Sequence, residues 1–130
     1  MKLLVVDDSS AIRKIIKAAA DVLRMDTEEA QDGVEALEKL SAYYSEIDLV
    51  LLDWNMPELS GYDVLLEMKS SDKFGDIPVM MVTSESQKSS IVAAIRAGAC
   101  NYLTKPFTVD ELQTKILECL GADCWVGDLR

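Results

Sequence analysis

Two apolar runs that end on carboxylates constrain this chain more than any other feature. Residues 49–57 read LVLLDWNMP: four aliphatic residues, then an aspartate, then a turn closed by proline. The opening repeats the pattern, with LLVVDDSS at residues 3–10 ending on two carboxylates. Continuous aliphatic runs of this length fit strands covered on both faces, as in a parallel sheet. A charge at the mouth of such a strand is costly unless something pairs with it.

The rest of the chain alternates short apolar runs with longer amphipathic ones. After the strand Leu3–Val6, Ile12, Ile15, Ile16, Ala19 and Leu23 recur at helical spacing. A polar strand at about Met25–Ala30 precedes Asp32-Gly33-Val34-Glu35, a turn and helix start with an acid three residues after a capping acid. Ile47–Leu52 reads as the third strand and Gly61–Lys69 as its helix. Pro78–Val82 reads as the fourth strand, Gln87–Ala97 as a helix opened by Ser84-Glu85-Ser86-Gln87, and Tyr102-Leu103 as a short fifth strand. Thr108-Val109-Asp110-Glu111 is a capping box for a last helix reaching about Leu120. Five strand–helix units of this kind predict an α/β fold, a doubly wound parallel sheet with helices on both faces. Functional groups then belong beyond the carboxyl ends of the strands. Asp7, Asp8, Asp53, Thr83 and Lys105 all fall there.

Composition removes whole classes of chemistry. The chain has no histidine, which excludes Ser–His and Cys–His nucleophile systems and histidine metal ligands. Its net charge of −10, from 23 acidic and 13 basic residues, argues against nucleic acid as a direct partner. No apolar run approaches the roughly 20 residues that span a membrane, and acids follow the first apolar stretch at once, so neither membrane insertion nor a signal peptide is expected. The expected location is the cytoplasm. Cys100, Cys119 and Cys124 form an odd set without a Cys-x-x-Cys pair, so buried reduced thiols are expected rather than zinc or a disulfide framework.

The chemistry of the strand ends follows from charge. Were the first and third strands neighbours, three carboxylates would converge, and at an effective dielectric of about 20 each like-charged pair at 4 Å costs about 4 kcal/mol. Such a cluster either raises a carboxylate pKa or holds a cation. An all-oxygen set without histidine or thiolate favours a hard ion, and a few carboxylates with waters suit Mg²⁺. The competing reading is that Asp7 and Asp8 merely cap the first helix together with Ser9. A hard cation, the Lys105 ammonium and the Thr83 hydroxyl around one aspartate make a phosphoryl site. Asp53, alone at the end of the middle strand, is the natural nucleophile.

At these residues the chain resembles the receiver domains of two-component response regulators, and in length it is similar to CheY-type single-domain regulators. The matching motifs are LLVVDDSS, EAQDGVEAL (29–37), LVLLDWNMPELSGYDVL (49–65), IPVMMVTSES (77–86) and NYLTKPF (101–107). The resemblance covers about residues 2–120 and implies a (βα)5 flavodoxin- or CheY-like sheet of strand order 2-1-3-4-5. It implies one receiver domain over 1–120, a tail over 121–130 and no output domain. Asp53 would be the phosphoacceptor. Asp8, Asp53 and the backbone carbonyl of Asn55 would hold Mg²⁺, with Asp7 acting through a water. Lys105 would pair with the phosphoryl group across a cis bond to Pro106, Asn55 and Glu85 would tune hydrolysis, and Thr83 and Tyr102 would form the switch pair.

The implied function is a monomeric, stand-alone regulator. It takes a phosphoryl group from a histidine kinase and catalyses only its own phosphorylation and dephosphorylation. It signals through the face of helix four, strand five and helix five to a downstream protein such as a flagellar motor switch protein or a phosphatase. Trp54-Asn55 and Glu85 favour the chemotaxis type over a phosphorelay intermediate that hands its phosphate to a histidine phosphotransfer protein. A flavodoxin-like carrier would need a glycine- and hydroxyl-rich loop where Asp7-Asp8-Ser9-Ser10 stands. An aspartate-nucleophile phosphatase would need a second aspartate where Asn55 stands. Arg24 occupies a position where a helix-ending glycine is common, and the tail segment Cys124-Trp125-Val126 is expected to pack on the last helix.

Overall fold

The computed structural model describes residues 1–121. Its elements run β1 (Lys2–Val6), α1 (Ser10–Val22), β2 (Asp26–Ala30), α2 (Gly33–Tyr43), β3 (Leu49–Leu52), α3 (Gly61–Lys69), β4 (Val79–Thr83), α4 (Lys88–Arg96), β5 (Asn101–Thr104) and α5 (Val109–Cys119). The strands form one parallel sheet in the order β2-β1-β3-β4-β5. This is the α/β sheet that the alternation of runs predicts.

The period of two along each strand divides the core into two layers. Leu4, Val6, Val50, Leu52, Val79 and Met81 face one way and pack with Ala36, Leu40, Val64, Leu65, Met68 and Ala94 from α2, α3 and α4. Leu3, Val5, Leu49, Leu51, Met80 and Val82 face the other and meet Ile16, Ala19, Ala20, Leu112 and Ile116 from α1 and α5. Both faces of β3 are therefore buried, which is why its sequence is uniformly aliphatic.

Helix starts follow local chemistry. Ser9 accepts a hydrogen bond from the Ile12 N–H, Asp32 from that of Glu35, and Ser60 from that of Asp63. Thr108 and Glu111 close the expected capping box. Helix α4 starts at the end of the expected opening segment, with Gln87 as N-cap, but it has no side-chain cap bond. Arg24 does adopt the left-handed conformation that glycine would favour, at φ 60°.

Strand β2 forms where expected, and its polarity is tolerated because it lies at the sheet edge, where only one neighbour must be matched. One expectation changes. Cys100 and Cys119 are not buried reduced thiols: Cys100 is exposed and forms a disulfide with Cys119. Their spacing of 19 residues gives no hint that the fold returns the end of α5 to the start of β5. The segment Cys124-Trp125-Val126 lies outside the described residues.

Candidate functional site

The sheet order brings the carboxyl ends of β1 and β3 side by side. Val6 is in register with Leu52, so Asp7 and Asp53 are the next residues beyond paired strand ends. Backbone hydrogen bonds continue past the strands and fix both: Asp53 N–H donates to Val6 O at 3.0 Å, and Asp7 N–H donates to Ala30 O at 3.1 Å. On the other flank, Lys105 N–H donates to Thr83 O at 2.9 Å. Strand pairing alone thus places four of the five expected residues.

Carboxylate oxygens of Asp7, Asp8 and Asp53 lie within 4.8 Å of one another. Asp7, Asp53 and Thr83 are the buried polar residues among those described, at 1%, 6% and 0% exposure, whereas Asp8 is exposed. Among the described residues, one side-chain cation pairs with the cluster's carboxylates. Lys105 Nζ lies 2.7 Å from Asp7 Oδ2 and 3.5 Å from Asp53 Oδ2. Asp7 Oδ1 accepts from the Ser9 N–H at 2.9 Å, so both Asp7 oxygens have a partner. Asp53 Oδ1 is buried without a hydrogen-bond partner. An orphaned carboxylate oxygen beside two further carboxylates is what a hard cation would satisfy. The donor set therefore fits Mg²⁺.

Burial pushes the Asp53 carboxyl above its ordinary pKa; the Thr83 hydroxyl and the Lys105 ammonium pull it back, while the Asp7 charge adds to the rise. The capping reading of the acid pair survives only in part. Ser9 is the N-cap and Asp7 supports it, while Asp8 makes no hydrogen bond among the described residues.

Thr83 and Tyr102, the expected switch pair, both bond to the Glu85 backbone. Thr83 Oγ1 accepts from the Glu85 N–H at 3.1 Å, which leaves its proton free to donate. Tyr102 packs against the core with its hydroxyl donating to Glu85 O at 2.6 Å. Its pKa is raised to about 12, by burial first and then by the Glu85 and Asp53 charges. The Glu85 carboxylate accepts from the Gln87 N–H at 3.1 Å, at the start of α4. Asn55 is exposed in the loop two residues beyond Asp53.

This architecture decides the relationship to known proteins. Residues 3–117 match the family described as the response regulator receiver domain. The chain belongs to that family. It is 44% identical over 124 residues to the chemotaxis protein CheY1 of Helicobacter pylori, covering 95% of this chain and 99% of the relative. It is 42% identical over 128 residues to a chemotaxis protein CheY homolog of Campylobacter jejuni, covering 98% of each. Among solved structures, chemotaxis protein CheY4 of Vibrio cholerae superposes with a TM-score of 0.83 at 28% identity, over 92% of this chain and 98% of that one. A receiver domain from Clostridium thermocellum does so at 0.85 and 30%, over 96% and 98%.

Three contacts in this receiver escaped the sequence reading. The Lys105 ammonium lies closer to Asp7 than to Asp53. Arg13 donates through Nη1 to the Asp7 carbonyl at 2.6 Å while its Nε pairs with Glu29 at 2.9 Å. Gly61 permits the close approach of α3 to the site loop: a Cβ there would lie 1.9 Å from Asp53 O, and its N–H donates to Trp54 O at 2.8 Å. The small residue opening α3 was the available signal for that last contact.

Proposed function

We propose that this receiver is a phosphorylation switch of the chemotaxis type, with Asp53 as its phosphoacceptor. The observation that carries the reading is the buried, unpartnered Asp53 Oδ1 in a cluster that has more acids than cations. In the transfer, a carboxylate oxygen of Asp53 attacks phosphorus, the O–P bond forms, and the N–P bond of a kinase phosphohistidine breaks with its electron pair on the imidazole. Lys105 shifts from Asp7 toward a phosphoryl oxygen, and the free proton of Thr83 donates to another. Asp8, Asp53 and the Asn55 carbonyl would hold Mg²⁺, with Asp7 acting through a water. When bound, the ion supplies charge neutralisation at the phosphoryl oxygens. Asn55 and Glu85 border the path of the water that later hydrolyses the acyl phosphate.

Recruiting the Thr83 hydroxyl disturbs its bond with the Glu85 N–H, and the same residue's carbonyl holds Tyr102. That linkage supports output through α4, β5 and α5. Helix α4 is suited to move: it buries only Ala94, exposes Val92 and Ile95, and lacks a side-chain cap. The acidic surface fits output by protein contact rather than nucleic acid binding, with a histidine kinase upstream and a motor-switch type of protein downstream. No described helix is long and apolar enough to cross a membrane, in keeping with work in the cytoplasm. The test is intact mass after incubation with acetyl phosphate and Mg²⁺. Wild type gains one phosphoryl group and Asp53→Asn gains none; equal labelling of the two proteins would refute the assignment.

A further inference from the structure

The Cys100–Cys119 pair has no part in phosphoryl chemistry, yet it joins two elements of the proposed output face. Cys100 immediately precedes β5 and is anchored there, its N–H donating to Val79 O at 2.8 Å. Cys119 is the last residue of α5. Their Cα atoms are 5.9 Å apart, within the range a disulfide spans without backbone movement. The same seam has a second layer of polar contacts. Asn101 Nδ2 donates to Glu118 Oε1 at 2.8 Å, and Lys115 Nζ donates to Asn101 Oδ1 at 3.3 Å. Placement of the two sulfurs is therefore set by the fold and not by the bond alone.

We propose that Cys100 and Cys119 are a redox-active dithiol whose oxidation fastens the end of α5 to the start of β5. That the bond is reversible rests on the cytoplasmic reading above, because disulfides in reducing compartments are typically transient or redox-sensing. That the pair forms does not depend on the phosphoryl reading. The two sulfurs are unequal in a way that orders the steps. Cys119 is half-buried at the end of α5 and is the less accessible sulfur. Cys100 is exposed and precedes Asn101, on which the Lys115 ammonium rests. With a peroxide as the oxidant, the Cys100 thiolate attacks one peroxide oxygen. An S–O bond forms, the O–O bond breaks, and the departing oxygen leaves as water after taking a proton. The Cys119 thiol then attacks the sulfenic sulfur: the S–S bond forms, the S–O bond breaks, and a second water leaves. Two thiols lose two electrons and the peroxide gains them; a dithiol reductant reverses the change.

The consequence lies in the strand that carries the switch tyrosine. Tyr102 is two residues beyond Cys100, and its N–H donates to Asn101 Oδ1 at 2.9 Å. Oxidation braces the seam on which that residue sits, so α5 opens less readily from the sheet.

The test uses the full chain with Cys124→Ser, so that only this pair reports. After treatment with stoichiometric hydrogen peroxide, the folded protein should lose two hydrogens by intact mass, resist iodoacetamide at both sulfurs, and regain two alkylatable thiols with dithiothreitol. The oxidised form should melt several degrees above the reduced form, and amide exchange over residues 109–119 should slow at least severalfold. Adding Cys119→Ser should erase both differences while the reduced proteins melt together. Retention of both thiols, oxygen addition without loss of two hydrogens, or equal melting and exchange in the two redox states would overturn the proposal. None of these readouts requires phosphorylation, so they stand or fall apart from the assignment of Asp53.

Discussion

Two acidic regions of the same sheet are treated in opposite ways. At the edge, β2 presents Asp26, Glu28 and Glu29, and each acid has an outlet. Glu28 pairs with Lys39 at 3.2 Å, Glu29 pairs with Arg13 at 2.9 Å, and Asp26 is exposed to water. At the carboxyl ends of β1 and β3, Asp7 and Asp53 are buried and share the ammonium of Lys105, while the exposed Asp8 beside them has no cation partner among the described residues. A chain able to place cations beside its edge acids has left its central acids short of charge. The edge acids sit on a strand with one free edge, where charge discourages further pairing, whereas the central acids carry more negative charge than Lys105 offsets. Arg13 touches both regions, but at the centre it meets only the Asp7 carbonyl and leaves the carboxylates uncompensated.

The largest effect should come from removing the shared cation. Lys105→Met leaves two buried carboxylates without a counter-charge and should cost about 2–4 kcal/mol at neutral pH in EDTA, measured by urea denaturation. The loss should shrink on acidification, and the sign follows from Asp53. Its folded pKa lies above its ordinary value, so the folded state holds its proton to higher pH than the unfolded chain does. The stability this contributes is present at low pH and is lost as pH rises through the folded pKa. A deficit that did not shrink below neutrality would mean that packing of the lysine stem, and not charge, holds this end of the sheet.

A smaller effect of opposite sign sharpens the contrast. Asp8→Ala removes an exposed acid from the crowded end and should raise apo stability by up to about 1 kcal/mol, since like charges near 4.8 Å repel by roughly that amount even in water. The same change should abolish phosphorylation. A lower denaturation midpoint in EDTA would assign Asp8 a structural role. The smallest effect belongs to the edge: Glu28→Gln should cost at most about 0.5 kcal/mol, and less in high salt, as for other partly solvated surface pairs. A loss as large as that of Lys105→Met would erase the distinction between the two regions.

How much of this was legible in the sequence depends on the range of the interaction. The strands, the Thr108 capping box and the site acids could be read locally, because burial on both faces demands aliphatic runs and strand ends demand turn chemistry. The convergence of Asp7 on Asp53 required only that β1 and β3 be neighbours. The engagement of Lys105 with Asp7, 98 residues away, was not legible. Motifs identify which residues meet, but which carboxylate the ammonium rests on is set by side-chain geometry that no local pattern records. Tyr102 on Glu85 O and Cys100 against Cys119 were hidden for the same reason, since both depend on how β5 is seated against its neighbours. The strand boundaries moved by one or two residues, as at β3, where Ile47 and Asp48 lie outside the ladder. The polar β2 kept its full length because edge position relaxes the demand for apolar residues.

The most direct measurement of this account is the Mg²⁺ dependence of unfolding for wild type and Asp53→Asn, followed by urea denaturation from EDTA to millimolar Mg²⁺. The account predicts that wild type gains stability with added Mg²⁺, by about 1.4 kcal/mol at a tenfold excess over the dissociation constant. It also predicts that Asp53→Asn starts more stable in EDTA and gains distinctly less. Equal gains in the two proteins, or none in wild type, would contradict the claim that the central acids are held in surplus for a cation.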